Sequence, residues 1–209
     1  MASNDFKLGV LISGRGTNLQ AIIDAIETGQ LNARITVVLS NRKDAPGLER
    51  ARKHGIEAIW LDPKSHGGKQ AFDRALTEEL KARKVDLVCL AGYMRILGPE
   101  FIRAFEGQVV NIHPSLLPAF PGLNVQQQAI DYGVKFSGCT VHFVDEDVDS
   151  GPIILQAVVP VHDSDDAETL AERILIQEHL IYPRAIQLIA ENRLQIENRR
   201  ISIKESVPL

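Results

Sequence analysis

Two polar side chains interrupt an apolar run in VVNIH, where Asn111 and His113 stand two residues apart. Residues spaced by two on a strand project from the same face, so the pair would act together at the strand's carboxyl end. Ligands of open α/β sheets bind outside such ends. An amide N–H can donate to a developing oxyanion, and an imidazole exchanges protons near neutral pH. The same residues also fit a polar strand end hydrogen-bonded to its own loop. Pro114, Pro118 and Pro121 follow; each fixes its own φ and stiffens the segment.

Further along, the turn DEDVDSG supplies Asp145, Glu146, Asp147 and Asp149. One of these carboxylates could stand beside His113 and take part in proton transfer. The cluster equally fits a solvated hairpin tip, and spacing does not choose among the four. His142, in CTVHFV, fits either a hydrogen-bonded core position or a second polar group at the site. The histidines and acids lack the compact spacing of a metal centre, so no metal is expected. His54, His66, His162 and His179 have no comparable setting and stay unassigned.

A glycine-bearing stretch, ISGRGTNLQ, follows the first apolar run. Gly14 and Gly16 permit a tight turn, and Thr17 with Gln20 has the spacing of a capping box. The N–H groups of a helix start form an anion site, reinforced by the helix dipole. Leu19 stands where a dinucleotide fingerprint has its third glycine, and Ser40-Asn41 replaces the usual acidic residue. No GK[ST] follows, so a Walker loop is excluded. A plain strand–helix turn and a mononucleotide or sugar-phosphate site both remain.

The elements that would position these residues alternate. Apolar runs at 7–13, 35–40, 56–61, 85–91 and 108–113 read as strands. Between them, helical patterns begin at Thr17, Pro46, Lys69 and Pro99, with Gly29 as a C-cap for the first. Continuous apolar strands separated by helices imply parallel pairing with both faces covered. The expected class is α/β, a doubly wound, mostly parallel, Rossmann-like sheet over about 1–113. CTVHFV and PIILQAVVPV, at 139–144 and 152–161, lack an intervening helix and read as an antiparallel addition. A long helix is expected from about Asp166 to Asn192, bent near Pro183. One domain over 1–209 is the expected organisation, with halves at about 1–113 and 114–209.

Composition narrows the function classes. The 209 residues are 44% hydrophobic and 24% charged, with a net charge of −4. That balance disfavours nucleic acid as a partner. Cys89 and Cys139 lie in apolar runs without zinc or CxxC spacing, so buried free thiols in a reducing cytoplasm are expected. MASNDFK has no leader pattern, and no uncharged apolar run reaches the ~18 residues of a membrane span.

SGRGTNLQ, LAGYMRIL, NIHPSLLPAFPG, DEDVDSGPIILQ and IQEHLIYP occur in this order over roughly residues 7 to 197. Together they resemble the phosphoribosylglycinamide formyltransferases, folate-dependent enzymes of purine synthesis within the wider formyltransferase superfamily. The resemblance implies formyl transfer from 10-formyltetrahydrofolate, as co-substrate, to the amine of glycinamide ribonucleotide, without a metal. It implies Asn111, His113 and Asp149 as the catalytic trio. Gly16, Thr17, Asn18, Leu19 and Gln20 would hold the substrate phosphate, with Glu178 a further substrate contact. Met94, Arg95, Ile96 and Leu97 would bind folate through their backbone, aided by Asn111 and Lys69. Without the resemblance, Glu178 reads as an exposed helix charge. Lys69 replaces an arginine found in some members and lacks its planar fork. Asn124 and Gln126 stand where some members carry histidines. The relative acting on tRNA carries a further C-terminal domain, and the deformylase a regulatory N-terminal one; 209 residues are expected to leave room for neither. A 10-formyltetrahydrofolate hydrolase and a non-catalytic sugar-nucleotide or folate-binding module are the alternatives. Oligomeric state is left open, with a homodimer allowed.

Overall fold

The computed structural model describes residues 6–204. Most of the stretch in which no leader is expected, residues 1–5, lies outside the described residues. The chain divides into two compact units, residues 1–111 and 112–209.

The first unit alternates strands and helices: β1 (Lys7–Ile12), α1 (Thr17–Glu27), β2 (Arg34–Ser40), α2 (Pro46–Lys53), β3 (Ala58–Trp60), α3 (Lys69–Ala82), β4 (Leu87–Leu90) and α4 (Pro99–Ala104). It ends within β5 (Val109–His113). β1 pairs in parallel with β2 on one side and β4 on the other, β3 extends β2, and β5 extends β4. The chain therefore winds outward from β1 to β3, then returns to β4. The point of reversal lies between β1 and β4, where this class of sheet opens a crevice at its carboxyl ends. Leu8, Val10, Leu11 and Ile12 are fully buried, as expected for a strand covered on both faces. α3 turns Phe72, Leu76 and Leu80 inward at four-residue spacing. Each such burial contributes roughly 1.5–3 kcal/mol of transfer free energy.

The second unit adds α5 (Val125–Tyr132), β6 (Phe136–Phe143), β7 (Ile153–Pro160), α6 (Ala167–Ala190), β8 (Leu194–Glu197) and β9 (Arg200–Ile203). β6 and β7 form an antiparallel pair with a register shift between Val141 and His142. The strand order is β3-β2-β1-β4-β5-β6-β7, with β8 and β9 as a separate antiparallel hairpin. This is the expected mostly parallel α/β sheet with an antiparallel addition.

Asp166 caps α6: its carboxylate accepts from the Thr169 N–H while the Thr169 hydroxyl accepts from the Asp166 N–H. The helix passes through Pro183 and ends at Ala190, slightly short of the expected Asn192. The third and fourth strands are shorter than their apolar runs, whose outer residues lie in irregular backbone that still bonds along the sheet, as Leu61 N–H does to Ser40 O and Ala91 N–H to Leu11 O. α5 and the β8–β9 hairpin are absent from the sequence reading. α5 buries only Val125 and Ala129, too few apolar positions to mark a helical stripe.

Candidate active site

In the second unit the chain after β5 folds back on His113. His113 is 4% exposed, and its Nε2–H donates to the Phe120 carbonyl at 2.9 Å. Because that carbonyl can only accept, Nδ1 is the nitrogen left for Asp149, whose Oδ2 lies 3.4 Å away. With both ring nitrogens protonated the pair is an imidazolium–carboxylate ion pair. The stiffness of the segment is visible in its bonds. Ser115 Oγ donates toward the carbonyls of Ala119 and Phe120, and Thr140 Oγ1 accepts from Leu117 N–H while donating to Ser115 O. The Leu117–Pro118 peptide bond is cis.

Of the four carboxylates in the acidic turn, Asp149 is the one beside His113. Its Oδ2 also accepts from Gly122 N–H at 2.9 Å. Asp149 has φ of +52°, a left-handed conformation that aspartate tolerates better than most residues. Asp145 instead accepts from Ser150 Oγ at 2.5 Å, while Glu146 and Asp147 are exposed. The turn is thus partly a solvated tip and partly a site wall.

His142 stands on the other side of the same carboxylate, its Nε2 3.7 Å from Asp149 Oδ1. Its Nδ1–H donates to the Phe143 carbonyl at 2.8 Å. Burial pushes the His142 pKa below the ordinary histidine value, and desolvation outweighs the opposing pull of that carbonyl and of Asp149. His142 is therefore a neutral second polar group at the site. Asn111, the half-buried last residue of the first unit, precedes His113 by two positions on β5.

The glycine turn belongs to the first unit. Gly16 is the N-cap of α1 with φ of +71°, and no side chain caps the helix start. The expected Thr17–Gln20 capping box does not form. The Gln20 side chain turns away to donate to Asp24 and to accept from Arg50, which leaves the helix start open to an anion. Gly29, expected as the C-cap, follows the Thr28 cap with φ of +75°. α2 buttresses the turn. Gly47 N–H donates to Gly14 O at 3.1 Å, and Arg50 Nε donates to Arg15 O at 2.9 Å. A Cβ on Gly47 would lie 2.5 Å from Ile12 Cδ1 and 3.2 Å from Gly16 Cα, so only glycine permits this approach. His54, unassigned from sequence, lies 3.2 Å from Gln20 through Nε2 and 2.6 Å from Glu27 through Nδ1.

Also in the first unit, the segment after β4 carries Met94–Leu97. Met94 and Ile96 are 66% and 64% exposed, Leu97 is buried, and the Arg95 guanidinium lies 5.1 Å above the Phe72 ring. Large apolar side chains exposed on irregular backbone mark a binding surface. Ser13, at the end of β1, joins this segment to the glycine turn. Its hydroxyl accepts from Met94 N–H at 2.8 Å and donates to Asn41 Oδ1 at 2.5 Å. Lys69 opens α3 on the wall of a cleft it shares with Asp73, Gly98 and Arg103.

Glu178, in the second unit, is 7% exposed and not the surface charge its residue type suggests. It falls on the buried seam of α6 formed with Leu170, Ile174, Tyr182 and Ile186. That four-residue spacing was a signal available in the sequence. Together with desolvation, Glu178 pushes the Cys139 thiol up to about 12, so Cys139 stays a neutral buried thiol.

In the first unit a helix start open to an anion suits a phosphorylated ligand, and in the second the buried His113 beside Asp149 suits acyl-group chemistry. The chain belongs to the formyl transferase family, whose model matches residues 6–186. Over 187 residues it is 46% identical to phosphoribosylglycinamide formyltransferase of Escherichia coli (strain K12), covering 90% of this chain and 88% of that protein. A solved structure of glycinamide ribonucleotide transformylase 1 from Symbiobacterium toebii is 56% identical. It superposes with a TM-score of 0.95 and covers 97% of this chain and 95% of its own. The trifunctional purine biosynthetic protein adenosine-3 of Drosophila pseudoobscura pseudoobscura is 49% identical over 97% of this chain; the chain spans 15% of that relative's length.

Proposed function

We propose that this chain transfers a formyl group from 10-formyltetrahydrofolate to the amine of glycinamide ribonucleotide, a step of purine biosynthesis. The buried His113 at the end of β5, facing the half-buried Asp149, is the observation that carries this reading. The substrate amine attacks the formyl carbon, and a C–N bond forms as the carbonyl oxygen takes up negative charge. The C–N bond to the folate then breaks, and the proton lost by the amine passes to the folate nitrogen.

Asn111 and His113 stabilise the negative oxygen; loss of one such donor costs about 3 kcal/mol, or roughly a hundredfold or more in rate. For His113 to do this, its Nε2–H leaves the Phe120 carbonyl for the oxyanion. Asp149 orients the imidazole and moves the proton directly or through water. Gly16–Gln20 cradle the substrate phosphate at the start of α1, and Glu178 is a further substrate contact. Met94–Leu97, with Asn111 and Lys69, hold the folate. Alignment of the two substrates supplies much of the remaining acceleration. The buried free thiols Cys89 and Cys139 suit the reducing cytoplasm in which we place the enzyme.

The test mixes protein, glycinamide ribonucleotide and 10-formyltetrahydrofolate and follows folate absorbance. Turnover is expected only with both substrates. Turnover without the ribonucleotide would make the protein a hydrolase, and none in either case would leave a binding module.

A further inference from the structure

Asp73 and Glu178 are buried carboxylates, at 5% and 7% exposure. The proposed function uses Glu178 and leaves Asp73 idle, although burying a carboxylate is costly unless hydrogen bonds and opposite charges compensate it.

What compensates Asp73 is specific. It sits in the first turns of α3, and its Oδ2 accepts from Gly98 N–H at 2.8 Å. Gly98 directly follows Leu97 and is the N-cap of α4. That single bond therefore fixes the carboxyl end of the Met94–Leu97 segment, while Met94 N–H is fixed at the other end by Ser13. Lys69 lies one helical turn before Asp73. Arg95 stacks on Phe72, the residue preceding Asp73 in α3. Burial raises the Asp73 pKa above the ordinary carboxylate value, while Gly98 N–H, Lys69 and Arg95 pull it back. The group thus sits at the meeting point of the segment's end and of its two cations. Hydrophobic packing of α3 would need none of this.

We propose that Asp73 is a positioning residue for the formyl donor: it pins the Gly98 end of the Met94–Leu97 backbone and gathers Lys69 and Arg95 at its rim. This rests on the assignment of that segment to folate. A residue that merely joins α3 to α4 would affect stability; a positioning residue acts on the donor's KM.

Three variants separate these roles. Asp73→Ala removes both acceptor and charge. Asp73→Asn keeps an acceptor for Gly98 N–H and removes the charge. Gly98→Ala leaves Asp73 in place but introduces a Cβ 2.9 Å from its Oδ2 and 3.7 Å from Lys69 Nζ. Steady-state kinetics should show Asp73→Ala raising the donor KM by about tenfold or more, with kcat and the ribonucleotide KM within about threefold of wild type. Asp73→Asn should fall between wild type and Asp73→Ala, and Gly98→Ala should shift the donor KM in the same direction while melting close to wild type. If Asp73→Ala does not fold, the other two variants decide.

An unchanged donor KM in the folded variants overturns the inference. So does a loss shared by both substrates that tracks the melting temperature. Equilibrium dialysis with tetrahydrofolate reads the same difference without turnover: weaker binding by the variants supports the inference and equal binding overturns it. Wild type that binds tetrahydrofolate but does not transfer formyl would instead defeat the proposed function, leaving the Asp73 comparison intact.

Discussion

Asp149 reaches two histidines because its backbone is left-handed, so residue type and conformation both matter there. Asp149→Asn keeps the shape and an acceptor for Gly122 N–H but removes the charge facing His113. Its kcat is expected to fall about a hundredfold or more, with little change in either KM, as steady-state kinetics would show. The spacing of Asn111 and His113 was legible because strand periodicity is local. The choice among four acidic residues was not. It depends on the register shift between Val141 and His142 and on the backbone turn at Asp149, neither of which leaves a mark in residue order. Asp73 was invisible for a similar reason: its partner Gly98 is 25 positions away.

Helices and turns carry their own expectations. Asp166→Ala removes the α6 cap and should lower the melting temperature by roughly 2–4 °C. Gly47→Ala should act differently, because its Cβ would push against Ile12 and the Gly16 backbone. The ribonucleotide KM is expected to rise at least severalfold with the formyl-donor KM nearly unchanged, which kinetics with each substrate varied in turn would establish. The glycine turn itself was legible from its position after an apolar strand. Its buttress was not, because half of α2 is charged and the approach of Gly47 to Gly14 and Gly16 joins segments distant in sequence.

For the whole molecule, pH provides the test. The His142 pKa is depressed in the fold, so the neutral form is favoured there and the unfolded chain binds the proton first. Its contribution is fully present above the ordinary value of 6.5 and is lost as pH falls through the folded value. Asp145, Asp149 and His113 face the ring and are included in that balance. Asp165 and Asp166, held low by Arg173 and by Thr169, lose their contributions only as pH falls below the ordinary carboxylate value of 3.8. Asp73 runs the other way, since its raised pKa favours the fold as it takes up a proton. Melting curves from pH 8 to 5 should therefore show His142→Gln losing less stability than wild type below about pH 6.5. Equal slopes would place the ring in a more polar setting than its burial implies. At this scale the alternation of apolar strands and helices was enough to read the parallel sheet. The β8–β9 hairpin was missed although Leu194, Ile196, Ile201 and Ile203 alternate with polar residues, because each run is only four residues long and largely exposed.

The hydroxyl of Ser13 has a consequence for how the two substrates are bound. A single O–H hydrogen can be given to only one acceptor, so the chain Met94 N–H to Ser13 to Asn41 has a fixed direction. A ligand that orders the Met94–Leu97 segment would also restrain Ser13 and the glycine turn that follows it, so the second ligand would meet a smaller ordering cost. Thermodynamic reciprocity then requires each substrate to tighten the other by the same factor. In Ser13→Ala that factor should shrink toward one, as dissociation constants measured with and without the second substrate would reveal.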